Sequence, residues 1–496
     1  MNSKHIPYSA LLVIALLNQS RLSAQTWYRQ SGGSSSQTNQ TFIATLNDTS
    51  GVFITDSGNY TLANSRITTS GNTSRIDSSS KSGQNAGVLI NKSSTTTLDQ
   101  DTIITSGYGA NGVFSSGSSS ELTVTNSVIR TSGAHSRGIN ATYSGVVHLN
   151  NVRISTSNDT SSAIATDCAG GTVYFIGGVA STTGNLSAGV YSTGVINVSE
   201  SVITSAIDHA AVLDVDGILN VTNTTISGGQ SSLMVHKTPM GTYTATAVFS
   251  GSNISATTGH IIYDTAASLN VTFNGGDTVN SGSGNLLYAV SSAKINALLN
   301  AETLNGNVYA DAGSTINLNL TNTTTLYGTI THAAVQLDAN SSWQLSGDSH
   351  ITSLTDPGVN TTTHSVSNIT GNGYNVYYNA ALPANSWLAN GTYSLLNSGC
   401  LLPEGGSCTT TAIDDNITAA ALTVSPNPAT NKLNIQLPYG ATAASYRLTL
   451  PDGRIISGGN LTTGYTTVDV SYLATGVYLL TVNYDQAVRT IQFIKK

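Results

Sequence analysis

From residue 67 to residue 259 the chain returns to the same short phrases about every 24 residues. One series reads ITTSG (67–71), IITSG (103–107), IRTSG (129–133), ISTSN (154–158), VASTTG (179–184), ITSA (203–206) and ISGG (226–229). Its apolar leaders Ile104, Ile129, Ile154, Val179, Ile203 and Ile226 step by 25, 25, 25, 24 and 23. A second series comprises GVLI (87–90), GVFS (112–115), GINA (138–141), SAIA (162–165), GVYS (189–192) and AVLD (211–214). A third holds LTVT (122–125), VHLN (147–150), VYFI (173–176), INVS (196–199) and LNVT (219–222). Each repeat therefore offers three short runs, apolar on alternate positions and divided by Gly, Asn or Ser.

A run of this kind cannot bury its apolar face alone. Coiling one turn on the next, about 4.8 Å apart, pairs the backbones and stacks like side chains into inner columns. The repeat predicts an all-β chain, a right-handed parallel β-helix with about three strands per turn. Carried over residues 40–385, the period allows about 14 turns. Composition agrees, since Ser, Thr, Asn and Gly are poor helix formers. A hydrophobic fraction of 39%, placed in register, opposes a disordered stalk. Only 9% of residues are charged and the net charge is −7, so no positive face exists for nucleic acid. No apolar run is long enough for a transmembrane helix.

The two ends read differently. Residues 1–24 predict a signal peptide: Lys4 and His5 precede the apolar ALLVIALL (10–17), and Ala24 stands where a peptidase would cut. Export permits disulfides, and Cys400 with Cys408, around LLPEGGS, is the expected pair. Cys168 is left over, with no activating His or Lys adjacent in sequence. The β-helix is expected over 25–408 and a linker over 409–421. From Leu422 short alternating runs separated by turn residues, Asp452-Gly453 among them, predict a small antiparallel β-sandwich over 422–496. Charge changes sign as well: the tail holds six cations and three acids, whereas residues 25–421 hold ten cations and 22 acids.

Four pieces of the tail carry a resemblance: Pro426-Asn427-Pro428, LNI (433–435), TGVYLL (475–480) and the terminal FIKK. In that order and spacing it resembles the type A sorting domain of the type IX (Por) secretion system of Gram-negative bacteria. The resemblance implies a cargo that passes through the periplasm and engages the type IX machinery. The cargo would end secreted or on the outer cell surface. Pro426, Asn427, Pro428, Gly476, Tyr478, Lys495 and Lys496 would carry the sorting signal. The repeats, in turn, resemble autotransporter passenger domains, which are pertactin-like and pectin-lyase-like β-helices. SSWQLSGDSHITSLT (341–355) is similar to their C-terminal turns, and residues 373–399 to the segment that closes such helices.

Two functional classes share that fold: adhesive or structural passengers, and polysaccharide hydrolases or lyases. The enzymes need carboxylates on neighbouring turns. Between Ile154 and Ala421 sixteen acids stand against two cations, Lys237 and Lys294, so an acidic polysaccharide would be repelled. The candidate catalytic cluster is Asp208, Asp214 and Asp216, beside His209. In AVLDVDG, Asp214 and Asp216 are expected to alternate onto one strand face, with Asp167 and Asp264 in the same column. Such a cluster would act as a hydrolytic pair or a Ca²⁺ site; otherwise it is a solvated strand face. His135 with Arg130, Arg137 and Arg153 would grip an anionic glycan if they form one patch; otherwise they are scattered solvated charge, the more ordinary reading. The TSG positions are expected to face outward as hydroxyl ladders. The Asp-Thr-apolar triplets at 101–103, 264–266 and 277–279 resemble O-glycan acceptors. The expectation is an adhesin-like surface β-helix that binds glycans, or host or biofilm surfaces, without catalysis or cofactor. A polysaccharide-active enzyme using Asp208, Asp214 and Asp216 is the alternative.

Overall fold

In the computed structural model each repeat lays down one strand on each of three parallel sheets. The first sheet starts with Tyr28–Ser31, the second with Ser34–Thr38 and the third with Thr41–Ala44. The structure describes residues 27–236, 243–408, 422–437, 444–451, 453–461, 465–484 and 487–496. The expected signal peptide, the 409–421 linker and Asp452 lie outside the described residues. Two compact units result, residues 1–409 and 410–496.

The second sheet has fourteen strands, one per turn, ending at Ser353–Thr355; the third has ten, ending at Thr278–Ser281. Beyond Ser281 the third-face strands form a ladder that joins the first sheet where Tyr393–Leu396 pairs antiparallel with Cys400–Pro403. The interior consists of stacked columns. On the third face Phe42, Ile67, Ile103, Ile129, Ile154, Ala180, Ile203, Ile226 and Ile254 succeed one another.

That register corrects two of the leaders. Ile103, not Ile104, pairs with Ile129, and Ala180, not Val179, lies between Ile154 and Ile203. A one-residue shift turns a side chain to the other face, so Ile104 and Val179 point outward. The anchor is the Thr two places beyond the inner residue. The threonines of TSG face inward: Thr69, Thr105, Thr131, Thr156 and Thr182 are all buried. Thr105, Thr131 and Thr182 each donate their hydroxyl to the carbonyl five residues on, at 2.6, 2.8 and 2.6 Å, stapling the corner. The outward hydroxyl column is one residue earlier, through Ser155, Ser181, Thr204, Ser227 and Ser255.

The corner between the second and third sheets holds a buried polar ladder. Ser65 N–H donates to Asp101 Oδ1 at 2.7 Å, and Asp101 N–H to Ser127 Oγ at 3.0 Å. The pattern returns as Ser252 to Asp277, Asp277 to Glu302 and Glu302 to Thr324. Backbone donors that the corner would otherwise bury unpaired find acceptors one turn on. Burial pushes Asp101 up to about 7. Glu302 is also pushed to about 7, by burial and then by the neighbouring Asp277 carboxylate. Two of the three triplet aspartates are therefore ladder members.

In the first turn Gln30 bonds the carbonyls of Gly32, Gly33 and Asn59. At the other end the 3₁₀ helix Pro383–Leu388 caps the core, with Leu354 N–H donating to Asn385 Oδ1 at 3.0 Å. Trp343 is fully buried and donates its Nε1–H to Gly328 O at 2.9 Å. Cys400 and Cys408 form a disulfide.

One insertion matters for function. The turn between Arg66–Thr69 and Val88–Asn91 contains the helix Ile76–Ser82, which lies on the outer side of the first sheet. Its C-cap, Gly83, sits against the outward-facing Leu89 and Phe114, which it buries. Asn140 Nδ2 and Thr142 Oγ1 donate to the carbonyls of Ser80 and Lys81 at 3.2 and 2.9 Å.

The strands of the second unit pair antiparallel, with one isolated parallel bridge from Ala429 to Lys495. One sheet pairs Thr423–Ser425, Lys432–Gln436 and Tyr465–Asp469. The other orders Ile455–Leu461, Ala444–Thr449, Gly476–Tyr484 and Ala487–Lys495. Leu433, Ile435, Leu448, Leu480, Val482 and Phe493 form their shared core.

Candidate functional site: the outer face of the first sheet

An outward column climbs the first sheet through Asn140, Ala165, Tyr191, Val212, Met234, Tyr263, Tyr288 and Tyr309. The helix covers this face as far as Asn140 and Thr142. One turn later the face opens into a cleft of about 750 Å³, lined by Asp167, Cys168, Tyr191, Thr193, Asp214 and Asp216. Its floor is a column of glycines, where successive turns pack backbone to backbone. A Cβ on Gly194 would stand 2.4 Å from Gly171 O, which only glycine avoids.

Five consecutive turns contribute unlike side chains here. Arg137 Nη2 meets Asp167 Oδ2 at 2.9 Å, and its guanidinium lies 5.6 Å from the centre of the Tyr191 ring. Tyr191 donates its hydroxyl to Asp214 Oδ2 at 3.0 Å, and His236 Nε2 is 3.9 Å from that oxygen. Burial and the Asp214 carboxylate hold the Tyr191 hydroxyl well above its usual range, so it stays a donor. The Cys168 thiol is pushed up to about 11 by burial and Asp167, which keeps it a thiol and a poor nucleophile.

The sequence-predicted residues divide. Asp214 and Asp216 both line the cleft, but not from one strand face. The strand Ala211–Asp214 ends because Val215 takes a left-handed backbone (φ +57°), so Asp216 sits exposed in the turn while Asp214 is buried. Asp167 shares the outward face with Asp214, two turns away. Asp264 does not: it pairs with Val235 on the inner side, and burial pushes it up to about 7. Asp208 precedes the strand and does not line the cleft. It is buried with His209, whose Nδ1 accepts Ser231 N–H at 3.3 Å. Burial holds His209 below its usual range. The arginines also separate, because Arg130 and Arg153 face outward on the third sheet while Arg137 turns to Asp167. Among the described residues no group of three His, Cys, Asp or Glu could hold a metal ion.

Sequence reasoning missed Tyr191 and His236. The available signal was an outward aromatic in GVYS, aligned with small or aliphatic residues on adjoining turns. Further along the face Tyr288 stacks on Tyr309 at 5.0 Å and on His260 at 4.0 Å.

In the tail, Asn427 is bound to the last strand: its Oδ1 accepts Ile494 N–H at 2.9 Å and its Nδ2 donates to Gln492 O at 3.1 Å. Pro426 and Pro428, both after cis peptide bonds, flank it. Gly476 opens the penultimate strand; Tyr478 is buried, donating to Ala474 O at 2.8 Å and stacking on Phe493. Lys495 is largely buried too, and Lys496 N–H donates to Ala429 O at 2.9 Å. Residues 423–496 match the family model of the secretion system C-terminal sorting domain. The tail is a type IX sorting domain. This sorting domain marks the chain as a secreted or cell-surface cargo of β-helical fold, one that engages the type IX machinery. No curated protein matches the chain. No helix among the described residues is long and apolar enough to cross a membrane.

Proposed function

We propose that this cargo is an adhesin-like β-helix of a Gram-negative cell surface, exported through the periplasm, that binds glycans on its first sheet without catalysis. The observation that carries the reading is the concentration of unlike groups on one outer face. Arg137, Asp167, Tyr191 and Asp214 supply fixed donors and acceptors, and the Tyr263–Tyr288–Tyr309 column continues past them. A linear neutral glycan suits such a strip: hydroxyls meet the polar groups, and weak contacts add along the rod. The protonation pattern favours binding. The carboxyls that burial lifts to about 7, Asp101, Asp264 and Glu302, are buried in the corner ladder or core, whereas a general acid must reach its substrate.

One observation favours the hydrolase alternative. Asp167 and Asp214 stand two turns apart, about 9–10 Å by strand spacing. Both line the cleft, and paired carboxylates facing one cleft are what glycoside hydrolases use. Incubating the full secreted chain with a panel of glycans, with and without Ca²⁺, separates the readings. Retention without new reducing ends or unsaturated products is expected. Product release that vanishes in Asp214→Ala and Asp216→Ala would replace the adhesin reading with an enzyme.

A further inference from the structure

The tail's outer surface is asymmetric. Among its described residues the exposed large apolar side chains are Ile455, Tyr472, Val477, Val488 and Ile494, each between 39% and 62% exposed. Four of them adjoin. Val477 and Ile494 face each other across neighbouring strands, and Ile455, Tyr472 and Val477 line one cleft of about 600 Å³ with Leu450 and Thr475. Val488 stands apart, at the far end of the last strand opposite Asn483. The GVY and FIKK motifs thus each place one residue in the core and one outside: Tyr478 and Phe493 within, Val477 and Ile494 without.

A sorting domain must offer its machinery either a strand edge or a surface. The C-terminal part of the last strand's edge is already occupied. Ala429 N–H donates to Ile494 O at 2.8 Å, Lys496 N–H returns to Ala429 O, and Asn427 holds Gln492 and Ile494. The Pro-Asn-Pro segment therefore shields that edge from strand addition. Beside that shielded edge the apolar patch stands exposed.

We propose that the Ile455–Tyr472–Val477–Ile494 patch is the docking face for the secretion machinery, with the cleft taking an apolar side chain from a partner loop. The tail carries six cations against three acids, so the fitting loop is apolar with acidic flanks. The inference rests on the sorting role of residues 423–496 and assigns that role to one face.

Export of the full chain from a type IX-competent bacterium tests it, scored as the ratio of extracellular to periplasmic protein. Val477→Asp with Ile494→Asp, and separately Ile455→Asn with Tyr472→Asn, should each lower that ratio at least about tenfold, as loss of a central apolar anchor does. Val488→Asp should export normally. Protease resistance of the tail in the periplasmic protein checks that each variant is folded. Normal export of either double variant, or equal retention of folded Val488→Asp, would overturn the assignment. Retention of only unfolded variants, with the folded Ile455→Asn/Tyr472→Asn protein exported, would do so too. An intact signal peptide and retention of a tail-deleted chain distinguish failure of this face from failure of the sorting role.

Discussion

One stretch of the first sheet's outer face and one of the second's arise from the same repeat and have opposite chemistry. On the later turns of the second sheet like meets like: Asn296 Nδ2 donates to Asn270 Oδ1 at 2.9 Å and Asn317 Nδ2 to Asn296 Oδ1 at 2.8 Å. A parallel rung pairs Asn322 with Asn300 at 2.6 Å. Such ladders satisfy themselves and add regularity to the stack. On the first sheet Arg137, Asp167, Tyr191, Asp214 and His236 come from successive turns and pair with unlike neighbours. Repetition here is structural, and departure from repetition at the same position marks a site.

The largest expected effect concerns neither face. Asp101, Asp264 and Glu302, lifted to about 7, stay protonated in the folded chain while their unfolded counterparts ionise from about pH 4. The unfolded chain then binds fewer protons, so stability falls as pH rises from about 4 to about 7, by on the order of a few kcal/mol. Denaturation of the full chain at about pH 4.5 and about pH 8, either side of that window, measures it. Glu302→Gln with Asp264→Asn should flatten the dependence. A pH dependence left intact in that double variant would place the energetically important charge outside the ladder and core and blur the contrast.

The smallest effect lies on the second face. Asn296→Ala removes two exposed ladder bonds and should cost less than about 1 kcal/mol, with glycan retention unchanged. Denaturant midpoints and a binding assay on the same preparation check both halves. A large loss of binding would make the amide ladder a recognition surface.

Much of the architecture was legible. The alternation in LTVT and VHLN assigns the second sheet without ambiguity, because one apolar phase exists. IITSG does not, since Ile103 and Ile104 both suit the interior; the choice falls to Thr105, whose hydroxyl must reach Ala110 O. VASTTG misleads for the same reason, with small Ala180 inside and larger Val179 outside. The site was harder. Asp214 and Asp216 look like alternate strand positions, yet one left-handed residue between them ends the strand. Arg137 and Tyr191 are distant in sequence and meet only because the ladder stacks Ile139 on Ile164 and Ile164 on Val190. Asp264 followed the right period but lay one position off, inside. The tail was readable because its motifs double as core and edge contacts, as Tyr478 and Asn427 show.

The central claim is that the first face binds and the fold only holds it. Retention of neutral glycans by full-length Tyr191→Phe and Arg137→Gln, beside their melting temperatures, tests this most directly. Each substitution should weaken retention about tenfold or more, equivalent to one lost buried contact, while melting shifts by only a few degrees. Undiminished retention in both folded variants would contradict the account.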